Sequence, residues 1–254
     1  GMVGDDSNSQ PQVGDRGEDT SLRPESNALR NAVQPSLGNL TVSRESGSFR
    51  FMMCQMGGCS AEITRKHKLT LVQKLITYYD INLTALLEIN TNWNINRHHS
   101  LARWFNEENL KSAFAFNKDP SEAISFHQPG GTGLLSRGEL VQYTKGWDSD
   151  FRGLGRWVSW KFFVNPNKVA RVVVAYRNGT GKPTGLKTIY QQHMRHIDKN
   201  QLLPFPSAKR LVIPQELFDV DFIGQCKHWS ELGEKLIVLM DCNYDILHGD
   251  SGKI

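Results

Sequence analysis

An aspartate and an asparagine, two residues apart, follow a short apolar run near the end of the sequence. The run covers residues 236–240, and the two polar residues are Asp241 and Asn243. A short apolar run predicts a buried strand, whose end meets solvent while rigid backbone still holds it. Side chains two residues apart on a strand point to the same side, so these oxygens suit a hard divalent cation or a phosphate-bound water. The alternative is a simple turn, because both residue types favour turns.

Polar residues suited to chemistry also stand at the ends of three other strand-like segments. They are Gln55, Glu88 and Tyr176. A side chain at a strand end is held by the sheet and can still reach solvent and ligand. These three residues, with Asp241 and Asn243, are the candidate site residues.

The elements that must position these residues alternate between strand and helix. Residues 49–56, 83–88 and 236–240 have the composition of strands, whereas residues 68–79 and 214–232 have the apolar spacing of helices. A strand, a helix and a second strand in sequence predict a layered domain that contains both element types.

The middle of the chain has a different pattern, with short strands separated by turn residues. Predicted strands cover residues 123–126, 133–135, 155–164 and 169–176. The last two flank an Asn-Pro-Asn turn and are predicted to form an antiparallel pair.

Two further helices are predicted on either side of these strands, over residues 100–109 and 185–199. Helices outside a run of antiparallel strands predict an α+β sandwich, in which two sheets pack together and helices cover them.

Residues 1–48 differ from the rest in composition. Gly, Ser, Asp, Asn, Gln, Pro and Arg dominate, and the apolar residues have no period. Such a segment cannot bury enough apolar surface to offset its ordering entropy, so we predict a disordered tail. The ordered domain is then expected over residues 49–254.

The cysteines, the apolar runs and the net charge say more about the cellular compartment of the protein than about its binding partner. Two of the four cysteines, Cys54 and Cys242, lie inside apolar strand-like runs, where buried free thiols are usual, and no C-x-x-C pair is present. We therefore predict a reducing compartment and no zinc site. No signal peptide or membrane-length apolar run is seen, so we expect an intracellular protein, nuclear or cytoplasmic, without a membrane partner. The formal net charge of +4 permits a nucleic-acid partner without requiring one.

Three short motifs stand in a characteristic order at the strand ends. Residues 87–90 read Leu-Glu-Ile-Asn, residues 175–177 read Ala-Tyr-Arg, and residues 240–243 read Met-Asp-Cys-Asn. They resemble the Q-E-x-N, A-Y-x-P and G-D-x-N motifs of the endonuclease/exonuclease/phosphatase superfamily, whose members include DNase I and non-LTR retrotransposon endonucleases. Residues 127–133, His-Gln-Pro-Gly-Gly-Thr-Gly, are similar to a glycine-bearing segment of the mobile-element members.

The resemblance implies a DNase I-like four-layer fold, with two packed β-sheets flanked by helices. It also implies a metal-dependent DNA endonuclease that uses Mg²⁺ or Mn²⁺. Glu88 would be the metal ligand, Asp241 would orient or deprotonate the attacking water, and Asn243 would hold the scissile phosphate. Tyr176 would hydrogen-bond that phosphate.

Each role has a plainer alternative. Glu88 could be an acid that caps a helix or loop, and Tyr176 could be an ordinary half-buried strand aromatic. Arg177 could contact a phosphate, although a solvated charge at the strand end is the favoured interpretation.

Two departures from the family pattern lower the expected activity. Gln55 stands where the family has an Asn that supports metal and phosphate, so the resemblance implies a substrate-binding position, but the longer side chain would shift the amide by about one carbon–carbon bond. The Ser/Thr-Asp-His motif of the family is not found before Ile254, and His248 and Asp250 occur in reversed order. The other histidines, including His193, are expected on the surface or on helix faces. We therefore expect an incomplete domain that lacks the last strands and has weak or no activity.

Two alternative functions remain open. The first is a catalytically inactive remnant of the same fold that binds nucleic acid or protein. The second is a phosphatase acting on small phosphates or on phospholipid headgroups.

Overall fold

The protein is described by a computed structural model. It covers residues 44, 46–58, 67–91, 107–118, 128–165, 168–179, 185, 188–202 and 211–243. Most of the predicted tail, the predicted strand at 123–126 and residues 100–106 of a predicted helix lie outside these ranges. Within the described part of the chain, no helix is long and apolar enough to cross a membrane.

Eight strands and four helices are found within the described ranges. The strands are β1 (Phe51–Gln55), β2 (Leu83–Leu87), β3 (Leu110–Ala115), β4 (Thr132–Arg137), β5 (Thr144–Ser149), β6 (Trp157–Asn165), β7 (Lys168–Tyr176) and β8 (Lys235–Asp241). The helices are α1 (His67–Tyr78), α2 (Leu140–Tyr143), α3 (Ile189–Asn200) and α4 (Pro214–Glu231).

The strands form two mixed sheets of four. Sheet 1 has the order β1-β2-β4-β3, and sheet 2 has the order β5-β6-β7-β8. Each sheet has one parallel pair at an edge, β1 with β2 and β7 with β8, and its other pairs are antiparallel. The chain between the two strands of each parallel pair contains helix, as parallel pairing requires a long crossover.

Three of the four apolar clusters among the described residues hold the four layers together. The core between the sheets contains Leu87 and Leu134 of sheet 1 with Val158 and Val174 of sheet 2. A second core joins α1 to the outer face of sheet 1, and a third joins α4 to the outer face of sheet 2. This order of helix, sheet, sheet and helix confirms the predicted four-layer sandwich.

Most of the predicted elements are confirmed within one or two residues at their ends. The antiparallel pairing of β6 with β7 is confirmed by a register that joins Trp157 to Ala175. Helix α3 begins at Ile189 because the Thr188 hydroxyl oxygen accepts a hydrogen bond from the Gln191 amide, which caps the helix start.

The sequence interpretation missed β3 and β5. β3 exposes Lys111 and Ser112, and β5 is an edge strand with four exposed residues. Neither strand has a clear two-residue apolar alternation, which is the signal that identifies a strand in a sequence. The described part of the predicted helix at 100–109, residues 107–109, is not helical and leads into β3.

The prediction that residues 236–240 form a buried strand is wrong about burial. These residues lie in β8, which pairs with β7 and is an edge of sheet 2 within the described residues. Ile237 is 39% exposed and Val238 is 40% exposed. The run is apolar because Leu239 contributes to the inter-sheet core while Leu236 and Met240 pack beneath α4.

We expect Gly155→Ala to destabilise the protein strongly. Gly155 has a φ of +75°, and a Cβ there would lie 2.5 Å from the Phe116 Cα. A left-handed φ alone costs a non-glycine residue about 1–3 kcal/mol, and the clash with Phe116 adds to this cost. Urea unfolding should therefore show that the free energy of unfolding falls by at least about 2 kcal/mol.

Gly224→Ala is the matched control, because it lies within α4 and nothing would meet its Cβ within 4 Å. Alanine is more stable than glycine in a helix interior, so the free energy of unfolding of this variant should rise by about 0.5–1 kcal/mol. Equal losses in the two variants would contradict the assigned backbone geometry.

Candidate functional site

The predicted site residues come from both sheets and meet at one end of the sandwich. Glu88 follows β2 of sheet 1, whereas Tyr176 and Asp241 end β7 and β8 of sheet 2. Because β7 and β8 are parallel, Tyr176 and Asp241 are direct partners in the register. The neighbouring Leu87 and Tyr176 both pack in the inter-sheet core, so these strand ends face each other.

A hydrogen bond from Tyr176 to Glu88 connects the two sheets. The Tyr176 hydroxyl donates to Glu88 Oε1. Burial raises the pKa of Tyr176 well above its usual range, and the bond to Glu88 raises it further. Tyr176 therefore stays protonated at neutral pH and remains a donor.

The backbone of Glu88 has an uncommon conformation that turns the chain at the site. Its φ is +49°, in the left-handed region that non-glycine residues rarely adopt. The Gly58 amide donates to the Glu88 carbonyl oxygen at 2.8 Å, which ties this turn to the segment after β1. Such conformations persist where surrounding contacts determine them, and they cluster at functional sites.

Asn90 hydrogen-bonds the backbone of Gly130 through both its side chain and its own backbone. Its side-chain Oδ1 accepts a hydrogen bond from the Gly130 amide at 2.6 Å, and its own amide donates to the Gly130 carbonyl oxygen at 2.8 Å. The glycine segment before β4 therefore binds the end of the Glu88 turn. Gly131 must lack a side chain, because a Cβ there would lie 2.9 Å from the Ala115 carbonyl oxygen.

Asp241 and Asn243 form a local turn and also contact the end of β7. The Asn243 amide donates to Asp241 Oδ1 at 3.0 Å, and its side-chain Nδ2 donates to the Arg177 carbonyl oxygen at 2.6 Å. Asn243 also hydrogen-bonds the Tyr176 side chain, which acts to lower the pKa of that tyrosine. The turn and site interpretations of these residues are thus compatible.

Gln55 and Arg177 lie beside this group in different environments. Gln55 is exposed and is the register partner of Leu87, one residue before Glu88. Arg177 is 8% exposed and donates to both carboxylate oxygens of Asp219, at 2.7 and 2.9 Å. The interpretation of Arg177 as a solvated charge is therefore wrong, because α4 supplies an acid that pairs with it.

A buried group of ion pairs around Arg156 contacts the backbone at the end of β7. Arg156 donates to both Asp150 oxygens at 2.7 and 2.8 Å and to Asp221 at 2.8 Å. Burial acts to raise the pKa of Asp150, but the hydrogen bond and charge of Arg156 outweigh it and lower that pKa. The Arg156 carbonyl oxygen accepts the Tyr176 amide at 2.8 Å, so this group fixes the backbone of a site residue.

The sequence interpretation also missed five buried polar residues near the site, which lie in or contact α3. They are Asn117, Gln128, Asn178, Gln192 and His193. The expected helix-face position of His193 is confirmed, but it is almost fully buried. The available signal was a polar Gln-Gln-His run in a helix that must cover a core.

The residues that could hold a metal are Glu88 and Asp241, whose carboxylates lie at strand ends of this edge. Their oxygens fit Mg²⁺ or Mn²⁺, which usually bind one or two carboxylates and keep several waters. Among the described residues, no group of three or more His, Cys, Asp or Glu could hold an ion together.

Comparison with known proteins gives structural similarities of low extent. No family model and no curated protein matches the sequence. The human Nocturnin catalytic domain with bound sulfate anion has a TM-score of 0.41 and 12% identity, covering 70% of this chain and 57% of that chain.

Two other solved structures give similar values. An endonuclease/exonuclease/phosphatase family protein from Leptotrichia buccalis C-1013-b has a TM-score of 0.41 and 10% identity, covering 80% of this chain and 69% of that chain. ANGEL2, a 2',3'-cyclic phosphatase, has a TM-score of 0.36 and 9% identity, and the match covers 71% of this chain and 44% of that chain. With TM-scores below 0.5, these similarities assign no family and no activity to this chain.

We expect His193 to make stability dependent on pH. Burial, aided by the charge of Arg156, lowers its pKa to about 3. In the unfolded chain the imidazole takes up a proton below about pH 6.5, which the folded protein excludes. The contribution of neutral His193 to the free energy of unfolding is therefore fully present above pH 6.5. It falls by up to about 1.4 kcal/mol per pH unit as the pH drops towards 3.

Urea unfolding at pH 7.5 and 5.0 measures this effect against a His193→Gln variant, which has no titrating ring. Between these pH values the wild type should lose about 2 kcal/mol more than the variant. Equal losses would show that the folded protein binds the proton as readily as the unfolded chain.

Proposed function

We propose that this domain is a metal-dependent phosphodiesterase of the endonuclease/exonuclease/phosphatase type that acts on DNA. The observation that carries the proposal is the hydrogen bond between Tyr176 and Glu88 across the two sheets. Asp241 and Asn243 lie next to this bond, through the register of β7 and β8 and the contact of Asn243 with Tyr176. The motif residues are thus neighbours at one edge although they are far apart in sequence.

Each of these residues has a role that its chemistry can perform. Glu88 and Asp241 would hold Mg²⁺ or Mn²⁺, which stabilises negative charge on the phosphate when it is bound. Asp241 would also orient or deprotonate the attacking water, because its carboxylate is fixed by the Asn243 amide.

Tyr176 and Asn243 would supply hydrogen bonds to the phosphate. The raised pKa of Tyr176 keeps its hydroxyl protonated at neutral pH, and this hydroxyl, which donates to Glu88 here, would turn to a bound phosphate. The Asn243 amide group donates to the Arg177 carbonyl oxygen and hydrogen-bonds the Tyr176 side chain, so it is fixed beside Tyr176, where a bound phosphate would replace one of these partners. Donors that are fixed before the reaction stabilise developing charge without reorganisation.

DNA is the proposed substrate because the motifs resemble those of mobile-element endonucleases and because the net charge is positive. Gln55 bears on the level of activity, since its exposed amide lies at the end of β1 beside the Glu88 turn. A longer amide at a position that contacts metal or phosphate would reduce the rate.

We expect the protein to nick supercoiled plasmid slowly in the presence of Mg²⁺ or Mn²⁺, and EDTA to abolish nicking. Glu88→Ala and Asp241→Ala should each lower the nicking rate about 100-fold or more, the usual effect of losing a general base or metal ligand. Gel analysis of plasmid topology over time measures these rates.

Glu139→Ala is the control, because Glu139 is an exposed acid that follows β4 at the opposite end of sheet 1. It should leave the rate unchanged. Nicking that both site substitutions leave intact would refute the assigned site. Salt-dependent DNA binding without nicking would favour the inactive nucleic-acid-binding remnant, and hydrolysis of inositol phosphates alone would favour the small-phosphate phosphatase.

A further inference from the structure

Helix α3 carries two adjacent polar residues that are both buried, Gln192 and His193. Each is 2% exposed. Buried polar side chains are costly unless they are hydrogen-bonded, so their partners indicate what they contribute. Adjacent helical residues point about 100° apart, which lets the two side chains reach different parts of the fold.

Gln192 binds sheet 1. Its Oε1 accepts hydrogen bonds from Asn117 Nδ2 at 2.8 Å and from Gln128 Nε2 at 3.4 Å. Asn117 lies just beyond the end of β3, and Gln128 precedes β4. The Gln128 amide donates to the Asn90 carbonyl oxygen at 3.2 Å, so this contact extends to the turn that contains Glu88.

His193 binds sheet 2. Its Nδ1 accepts a hydrogen bond from Asn178 Nδ2 at 3.0 Å, and the ring donates to the Leu154 carbonyl oxygen. With Nδ1 as the acceptor, the proton lies on the other ring nitrogen. Asn178 is two residues after Tyr176, so this contact holds the end of β7.

We infer that Gln192 and His193 are positioning residues that fix the site end of sheet 1 relative to the site end of sheet 2. The apolar core between the sheets is non-directional, and a backbone bridge between Asn117 and Leu154 adds one direct link between them. Hydrogen bonds from one rigid helix to both strand ends specify direction as well as distance. The relevant distance is the one between Tyr176 and Glu88.

The inference rests on the proposed function in that the positioned atoms are those of the proposed phosphodiesterase site. A misplacement of about 1 Å can lower a rate by about 100-fold, so removing either contact should reduce turnover without abolishing substrate binding. A purely structural role would instead lower stability and leave the geometry of Tyr176 unchanged.

The first measurement is independent of activity. The protein, which has six tyrosines, is labelled with 3-fluorotyrosine, and the Tyr176 resonance is assigned in the ¹⁹F spectrum with Tyr176→Phe. Gln192→Leu and His193→Ala should shift or broaden this resonance, because the bond to Glu88 lengthens. Asn178→Ala removes the partner of His193 and should change the Tyr176 resonance in the same way. It therefore tests the same contact if His193→Ala fails to fold.

The matched control is Glu234→Gln. Glu234 is buried, precedes β8 at the opposite end of sheet 2, and pairs with Arg171 there. This variant should lower the melting temperature and leave the Tyr176 resonance in place. His193→Gln is the conservative variant, because its amide can accept from Asn178 and donate to Leu154, and it should restore the wild-type resonance.

The second measurement is steady-state nicking by the same variants. Gln192→Leu and His193→Ala should lower kcat about 10- to 100-fold with KM changed less than about twofold. An unchanged Tyr176 resonance in Gln192→Leu, His193→Ala and Asn178→Ala, or an equal change in Glu234→Gln, would overturn the inference. A wild type that does not nick, together with shifted resonances, would refute the proposed function and leave the positioning role intact.

Discussion

The candidate site depends on one contact, the hydrogen bond that Tyr176 of sheet 2 makes to Glu88 of sheet 1. Neither residue can define a site alone, because each is only the polar end of its own strand. The contact forms because the inter-sheet core brings Leu87 and Tyr176 into one apolar cluster. Packing of the two sheets is therefore the condition for this contact.

The end of the sandwich that holds the candidate site contains several buried polar side chains. They include the ion pairs of Arg156 and the hydrogen bonds of Gln192 and His193. Buried ion pairs contribute little net stability, and removing one partner destabilises the protein strongly. Their contribution here is orientation, since Arg156 holds the Tyr176 backbone and His193 holds the following segment.

Sequence reasoning identified the four strand ends correctly because each follows a strand with a strong local signal. The strand of Glu88 is buried throughout, and the strand of Tyr176 becomes fully buried towards its end. It failed at β5 because an edge strand needs no apolar face. It also misjudged Arg177, whose partner Asp219 lies 42 residues away on a helix. No local pattern reports a partner at that separation.

The sequence alone determined the secondary structure around the motifs, the layered class and the residue types at each strand end, because these follow from short-range periodicity and composition. Only the tertiary structure decided that β8 lies at the edge of sheet 2 within the described residues, that Asn90 binds Gly130, and that α3 contacts both sheets. These outcomes depend on distant segments packing together. Apolar packing between the two sheets and the pairing of β7 with β8, rather than local propensity, bring Glu88, Tyr176 and Asp241 to the same edge.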